Sequence, residues 1–260
     1  MTTDERSREE AMNHGATARE AELNGALGRV RERLARAADA AGRSRDQIQL
    51  LPITKFFPAT DVIILSRLGC DAIGESREQE AAAKSAECNS TELASPIRWH
   101  MVGRIQRNKA RSIANWAHTA HSVDSAKLIT ALDAASARAL AEGARSEPLR
   151  VYVQISIDGD TARGGVDISA PDLVDEICGL AHSAQGLQFV GLMGIPPLGS
   201  DADDAFARLA AEHQRVQRSY PEPLGLSAGM SSDLESAVKH GSTCVRVGTA
   251  LMGQRPLTSP

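Results

Sequence analysis

The sequence predicts an α/β fold in which eight parallel strands and their following helices close into a single (β/α)8 barrel of the TIM type, preceded by one extra N-terminal helix. Eight short apolar segments alternate with amphipathic segments along the chain, which is the pattern of a parallel sheet covered by helices. The apolar segments lack strict alternation of apolar and polar residues, as expected for strands buried on both faces. The length of 260 residues is typical of one such barrel.

A doubly wound open sheet is the structural alternative for the same order of elements. It would place a glycine fingerprint directly after the first strand. The turn at that point reads Lys55-Phe56-Phe57-Pro58-Ala59 and contains no glycine. We therefore favour the barrel.

The region before the barrel divides into a tail and a helix. Residues 1–17 are polar and aperiodic, and we expect a mobile tail there. Apolar residues then recur at helical spacing, at Leu23, Leu27, Val30 and Leu34. This spacing predicts the extra helix over residues 18–41, with Gly42 as its stop. Residues 18–257 are predicted to form one domain.

The barrel elements follow in order along the chain. Strands are predicted at 48–54, 71–74, 98–102, 119–123, 150–157, 187–193, 224–227 and 244–247. Helices are predicted near 60–69, 76–87, 108–116, 125–143, 170–184, 201–219 and 232–240. Pro171 suits a first helical turn, and Ser231, Ser232 and Asp233 offer capping side chains for the last of these helices.

Composition and charge exclude several classes of function. A net charge of −4 argues against a general nucleic-acid binder or a protein attracted to anionic membranes. The four cysteines form no C-x-x-C pair, so neither a zinc site nor a disulfide framework is predicted. The N-terminus lacks a signal-peptide core, and no apolar segment reaches membrane length. We expect a cytoplasmic protein without a metal, and interpret one local basic cluster (Arg104, Arg107, Lys109 and Arg111) as a solvated face.

The carboxyl ends of barrel strands open into one shared mouth, where this fold carries its chemistry. Lys55 ends the first predicted strand, a position from which an amine can form a Schiff base. His100, in the third strand, is a candidate to line the mouth. Arg246, in the last strand, is predicted to face the mouth, where a permanent cation needs an anion or a ring acceptor as its partner. A salt bridge from Arg246 to Glu75 or Asp124 is the alternative.

The loops after the last two strands are predicted to bind phosphate, as they commonly do in barrels. The candidate residues are Gly229, Met230, Ser231, Gly248 and Thr249. The glycines would let the backbone approach an anion, the hydroxyls add donors, and the methionine forms pocket wall. The N-terminus of the following helix would direct N–H groups to the same place. Alternatively, the glycines only permit tight turns.

A lysine amine, a phosphate site and an arginine around one mouth fit pyridoxal 5′-phosphate. Its aldehyde would react with Lys55, its phosphate would lie at Ser231, Gly248 and Thr249, and its pyridine nitrogen would face Arg246. An unperturbed lysine has a pKa of about 10.4 and is protonated at neutral pH. The barrel mouth and the nearby guanidinium would lower that pKa and free the amine for attack.

Several segments, in order along the chain, carry a resemblance to a known family. They are Ile53-Thr54-Lys55; Gly74-Glu75 with Gln79-Glu80; Trp99-His100-Met101-Val102-Gly103 with Gln106 and Asn108-Lys109; Gly191-Leu192-Met193 with Ile195-Pro196-Pro197; Gly229-Met230-Ser231 with Asp233 and Glu235; and Gly241-Ser242-Thr243 with Val245-Arg246-Val247-Gly248-Thr249. Over about residues 20–255 the sequence resembles the YggS/PROSC family of pyridoxal-phosphate homeostasis proteins.

The resemblance implies a monomeric barrel of fold type III, related to the N-terminal domain of alanine racemase, with the cofactor in a Schiff base on Lys55. It also implies that the phosphate meets Ser231, Gly248 and Thr249 and that the ring nitrogen faces Arg246. The sequence departs from the family where the usual Gly-Glu-Asn ends in Ser76, which shortens or removes the contact expected of the asparagine. Two further departures are Phe57 and Arg163, each at a position where many members carry lysine.

Holding the cofactor, rather than turning over a substrate, is the function that the resemblance implies, with pyridoxal-phosphate-dependent apo-enzymes as candidate recipients. Arg246 cannot accept a proton, so the ring would stay unprotonated and would stabilise a carbanion poorly. A weakly active racemase is the first alternative, but it needs a second base, and neither Tyr152 nor Tyr220 has an evident route to the site. A Schiff-base aldolase and a partner-binding scaffold are the remaining alternatives.

Overall fold

The computed structural model describes residues 3–91, 93 and 95–254, with side chains described from Thr17 onward. Within these residues a parallel sheet of eight principal strands curls into a barrel, and the strands follow one another around it in the order of those that begin at Gln49, Cys244, Gly225, Leu187, Leu149, Thr119, Arg98 and Ala72. A single parallel bridge between Ile53 and Gly74 joins the first and last strands of this order. The predicted (β/α)8 architecture is confirmed.

The strands lie within about two residues of their predicted ends. They are β1 (Gln49–Pro52), β2 (Ala72–Glu75), β3 (Arg98–Met101), β4 (Thr119–Val123), β5 (Leu149–Ser156), β6 (Val166–Asp167), β7 (Leu187–Gly194), β8 (Gly225–Ser227) and β9 (Cys244–Val247). The two-residue β6 was not predicted, and it pairs only with the carboxyl end of β5. It therefore extends the sheet at the mouth rather than forming part of the ring.

Helices cover the outside of the barrel. They are α1 (Thr3–Ala40), α2 (Ala59–Arg67), α3 (Glu78–Asn89), α4 (Ala110–Trp116), α5 (Ala126–Ala141), α6 (Pro171–Ser183), α7 (Ala202–Gln217), α8 (Leu234–Lys239) and α9 (Thr249–Met252). The short α9 was not predicted. No helix in the described part of the chain has the length and apolar character needed to cross a bilayer.

The extra helix α1 begins at Thr3, well before the predicted start at residue 18. Met1, Thr2 and residues 255–257 of the predicted tail and domain lie outside the described residues, and the mobility of the tail stays a prediction. Leu23, Leu27 and Leu34 have no exposed surface, so the predicted apolar face is the one that packs. It contacts α2, α8 and α9, and each buried leucine contributes about 1.5–3 kcal/mol.

The barrel interior holds two small apolar clusters, distinct from the large layer between strands and helices. One consists of Leu51, Ile53, Ala72 and Cys244, and the other of Tyr152, Val190 and Met193. The remaining interior is polar, because His100, His121, Ser227 and Arg246 are all buried. Polar groups in that position need hydrogen-bond partners, and those partners define the site.

Candidate functional site

Lys55 lies in the turn that follows β1, at the carboxyl end of the barrel, and is half-buried. The next residue, Phe56, has a φ of 70°, a conformation that non-glycine residues rarely adopt and that surrounding contacts must hold. Its backbone N–H donates to Glu80 Oε1 at 2.6 Å. The turn that carries Lys55 is thus fixed by a carboxylate from α3.

A buried cluster of charged side chains, centred on Lys84, also holds the turn that carries Lys55. Lys84 Nζ donates to Glu75 Oε1 at 2.6 Å, to Glu80 Oε1 at 3.1 Å and to the carbonyl oxygen of Thr54 at 3.0 Å. The Thr54 hydroxyl also donates to Glu75 Oε1, at 2.6 Å. Burial raises the pKa of Glu75, and the Lys84 ammonium opposes that shift. The backbone groups on both sides of Lys55 are therefore held by one network.

Arg246 is buried without a carboxylate partner among the described residues. Its Nη1 donates to Ser227 Oγ at 2.6 Å and its Nη2 to the carbonyl oxygen of Gly194 at 3.0 Å. The alternative salt bridges do not form, because Glu75 pairs with Lys84 and Asp124 accepts from the backbone N–H of Gly165. Burial lowers the pKa of Arg246. A guanidinium that has only neutral acceptors in the interior suits an electron-rich ligand atom.

The two glycines of the predicted phosphate site have different reasons to be glycine. Gly229 has a φ of 92°, and a Cβ there would lie 2.5 Å from Ala237 Cβ, so the turn and the packing of α8 require it. Gly248 has a φ of −103°, and a Cβ there would meet only Ile53, at 3.7 Å. Packing does not explain Gly248, whereas a cradle that a Cβ would fill does.

Ser231 and the start of α9 lie side by side at this end of the barrel. The Ser231 hydroxyl accepts from the backbone N–H of Ala250 at 3.3 Å, while Thr249 is exposed. Strand pairing brings Lys55 to the same edge, because β1 and β9 are parallel neighbours and the Ile53 N–H donates to the Val247 carbonyl at 2.9 Å. Lys55, Ser231, Gly248 and Thr249 thus share one side of the mouth.

The predicted capping of α8 is only partly right. The helix begins at Leu234, and Asp233 occupies the N-cap position without a side-chain cap bond. Its carboxylate turns back instead and accepts from the backbone N–H of Met230 at 2.5 Å. Asp233 therefore shapes the loop of Met230 and Ser231 rather than the helix.

Sequence reasoning missed Arg33, which fastens the Ser231 loop to helix α1. Its Nη1 donates to the carbonyl oxygen of Ser231 at 2.6 Å, and its Nη2 donates to Glu235 Oε2 at 2.6 Å. Arg33 occupies a polar position of α1, directly before the buried Leu34. Only the packing of α1 against α8 could reveal its role.

His100 reaches Arg246 only through two other side chains. His100 Nδ1 lies 2.8 Å from His121 Nε2, and His121 Nδ1 lies 2.9 Å from Ser227 Oγ, which in turn accepts from Arg246. Sequence reasoning missed His121 and Ser227 as members of this chain. All four residues lie within predicted strands, but joining them also requires the register of β3, β4, β8 and β9, which local sequence patterns do not give.

A cavity with a volume of about 1480 Å³ lies at the carboxyl ends of β2, β3 and β4. Ser76 lines it together with Phe56, Lys84 and Arg104, whereas Lys55, Arg246 and Gly248 do not. Ser76 is positioned by its backbone, since a Cβ on Gly103 would lie 2.0 Å from the Ser76 carbonyl oxygen. Ser76 thus lines a cavity that Lys55, Arg246 and Gly248 do not line. No cluster of three or more potential metal ligands occurs among the described residues.

Comparison with known proteins places the chain in a family. The model of the alanine racemase N-terminal domain matches residues 25–256. Pyridoxal phosphate homeostasis protein of Mycobacterium tuberculosis is 64% identical over 248 residues, which cover 93% of this chain and 96% of that protein. The chain belongs to the family of pyridoxal phosphate homeostasis proteins. A more distant member, from Corynebacterium glutamicum, is 45% identical over 83% of this chain and 94% of its own length.

Solved structures of other proteins show the same barrel. PipY of Synechococcus elongatus, in a structure with PLP bound, is 29% identical to this chain and superposes with a TM-score of 0.73. The match covers 89% of this chain and the full length of the PipY chain. Alanine racemase of Streptomyces coelicolor is 17% identical, with a TM-score of 0.67, and the match covers 91% of this chain but 58% of the racemase. The second likeness shows the fold alone.

Proposed function

We propose that this chain binds pyridoxal 5′-phosphate, holds it as a Schiff base on Lys55, and contributes to the balance of the free cofactor. The observation that carries the proposal is the buried Arg246, whose only described partners are the neutral oxygens of Ser227 and Gly194. A pyridine nitrogen is the kind of acceptor that such a guanidinium can bind. The names of the relatives and the PLP-bound PipY structure support the same cofactor.

The residues present fit the cofactor at both ends. Gly248 leaves open the space that a Cβ would occupy, and the neighbouring hydroxyls of Ser231 and Thr249 suit a phosphate. Gly229 and Met230 form the turn that positions Ser231. We assign Ser76 and His100 supporting roles, since Ser76 lines the adjoining cavity and His100 acts through His121.

The cofactor, when bound, supplies an aldehyde for the lysine amine and a ring that withdraws electrons. The chain's own residues favour holding it over turnover. Arg246 donates hydrogen bonds and cannot accept a proton, so it keeps a facing ring nitrogen unprotonated and weakens the electron sink. The turn at Thr54–Phe56, fixed by Lys84 and Glu80, orients Lys55.

A racemase, the first alternative, needs a second acid–base group near the substrate carbon. Tyr152 is stacked on His121, with ring centroids 4.6 Å apart, inside the barrel. Tyr220 packs against Phe189 and His182, and burial raises its pKa to about 12. Neither phenol is placed at the mouth, which favours a carrier without robust catalysis.

The proposal extends to setting and partners. We assign the protein to the cytoplasm, as a monomer built on one barrel domain over residues 18–257. Pyridoxal-phosphate-dependent apo-enzymes are the recipients that a cofactor carrier would serve. The net charge of −4 supports a small-molecule ligand over nucleic acid.

The test is an absorption titration of the purified protein with pyridoxal 5′-phosphate, followed by borohydride reduction and peptide mass mapping. Wild-type protein and the control Lys127→Ala, which changes an exposed lysine, should gain a visible imine band. Lys55→Ala should not. Reduction should add the cofactor mass to the Lys55 peptide. A colourless wild type, or mass added to another lysine, would overturn the assignment.

A further inference from the structure

A second polar pocket lies at the opposite end of the barrel from Lys55. Its cavity volume is about 420 Å³, and it is lined by Gln49, Arg98, His100, His118, Glu147 and Arg150, among others. Gln49 and Arg98 are the first residues of β1 and β3. The pocket is therefore at the amino ends of the strands, and among its lining residues only His100 has a role in the cofactor proposal.

The charges of this pocket favour an anion. Arg150 donates to the neutral Gln188 Oε1, at 3.3 Å, and has no ion pair among the described residues. Arg98 pairs with Asp71 at 2.6 Å, but the two side chains are 47% and 67% exposed, so water screens the pair. Glu147 is the one acidic side chain of the lining and is exposed at the rim. Two guanidinium groups thus lie around a cavity with one carboxylate at its edge.

The hydrogen-bond chain from Arg246 determines which nitrogen of His100 carries the proton. Arginine only donates, so Ser227 Oγ accepts from Arg246 and has its own proton left for His121 Nδ1. His121 then carries its proton on Nε2 and donates it to His100 Nδ1. The proton of His100 is accordingly on Nε2. The thiol of Cys244 also contacts Ser227, but sulfur is a weaker acceptor than an imidazole nitrogen.

His100 is buried, with 4% of its surface exposed. Its Nε2–H nevertheless has no hydrogen-bond partner among the described residues. Burial lowers the pKa of His100 to about 3 and the pKa of His121 well below its usual value, so both rings are neutral at physiological pH. Because Nδ1 is occupied by His121, Nε2 is on the side of the ring away from it. A buried donor without a partner calls for an acceptor.

We propose that the amino-terminal pocket binds a small oxyanion, with the guanidinium groups of Arg98 and Arg150 and the Nε2–H of His100 as donors. A tetrahedral phosphate and a planar carboxylate both present oxygens to such a set, because guanidinium forks match either geometry. The inference concerns a site at the other end of the barrel and does not rest on the cofactor proposal.

The test is NMR of the full chain carrying 15N-labelled histidine, titrated with inorganic phosphate or with acetate at constant ionic strength. Long-range 1H–15N correlations should report the Nε2–H tautomer for His100 and for His121 before any anion is added. Phosphate, acetate or both should then shift the His100 Nε2 resonance saturably, and the two arms identify the preferred oxyanion. Phosphate bound at the mouth could also act on His100 through Arg246, Ser227 and His121, and the Arg150→Gln variant separates the two sites because it changes only the amino-terminal pocket.

Three variants complete the test. Arg150→Gln should weaken the titration about tenfold or more, because it removes a charged donor. Glu147→Gln should tighten it about threefold, because it removes the acidic group of the rim. Arg138→Gln, which breaks an exposed pair on α5, should leave it unchanged. An Nδ1–H tautomer at His100, an unmoved His100 resonance, or equal titrations in wild type and Arg150→Gln would overturn the proposal.

Discussion

At the scale of single residues, the buried ion pair of Lys84 and Glu75 affects both the stability of the fold and the geometry of the candidate site. The two side chains are 5% and 0% exposed and lie 2.6 Å apart. Removing one partner of such a pair leaves the other as an uncompensated buried charge. The resulting loss of unfolding free energy usually exceeds the net stabilisation that the intact pair provides. Since Lys84 also holds the carbonyl oxygen of Thr54, the same change should loosen the turn of Lys55.

Lys84→Met should lower the free energy of unfolding by about 3–5 kcal/mol, as measured by urea denaturation. Lys239→Met is the matched control, because it breaks a surface pair with Asp203 and should cost at most about 1 kcal/mol. The double variant Glu75→Gln with Lys84→Met should cost less than Lys84→Met alone. Equal losses for Lys84→Met and Lys239→Met would contradict this account.

His100 makes the stability of the fold depend on pH. Its pKa is about 3 in the folded protein, against about 6.5 when unfolded. Below pH 6.5 the unfolded chain therefore binds a proton that the folded chain does not. The contribution of neutral His100 is complete above pH 6.5 and is lost as the pH falls toward 3.

Between pH 7.5 and 5.5, wild-type protein should lose about 1.4 kcal/mol more of its unfolding free energy than His100→Gln, which has no group to protonate at that position. Urea denaturation of both proteins at the two pH values measures the difference. Equal losses of unfolding free energy in the two proteins would show that His100 is not held neutral in the folded state.

At the scale of secondary-structure elements, α1 does more than extend the barrel. It packs against α2, α8 and α9, and its polar side reaches the site through Arg33 and the Ser231 carbonyl. Arg19 adds a bond to the Met252 carbonyl at 3.2 Å, at the end of α9. The Ser231 loop and the carboxyl end of α9, the helix that begins at Thr249, are thus attached to the same helix.

Arg33→Gln should weaken the binding of pyridoxal 5′-phosphate about three- to tenfold, because the Ser231 loop loses its charged donor. The control is Arg29→Gln, which changes an exposed arginine one turn earlier on α1. Absorption titration gives both affinities, and urea denaturation tests whether folding is intact. An unchanged affinity in Arg33→Gln would show that α1 supports the barrel but not the site.

At the scale of the whole molecule, periodicity predicted most of the fold, because apolar strands and amphipathic helices are local features. The missed elements have physical reasons. Residues 3–17 lack an apolar period, yet their Ala, Glu and Arg content favours helix. The pair of β6 with β5 is too short to leave a pattern.

Candidate site residues could be predicted one at a time from the ends of the strands and the loops after them, as for Lys55, Ser231 and Gly248. The cluster of Lys84, Glu75 and Glu80 has a visible i,i+4 spacing between Glu80 and Lys84, but Glu75 joins from the end of β2. The chain from His100 to Arg246 crosses β3, β4, β8 and β9, so the register of four strands must be known first. Tertiary contacts of this kind leave no trace in local sequence patterns.

The attachment of α1 to the far end of the chain has a consequence for synthesis. Arg33 and Ser231 are 198 residues apart in sequence, and Arg19 and Met252 are 233 apart. Helix α1 can pack against α2 soon after synthesis, but the part of its surface that contacts α8 and α9 stays exposed until those helices have left the ribosome. Nascent chains shorter than about 250 residues should be unable to retain cofactor and should depend on chaperones, whereas the completed chain should acquire both its stability and its ligand in one late step.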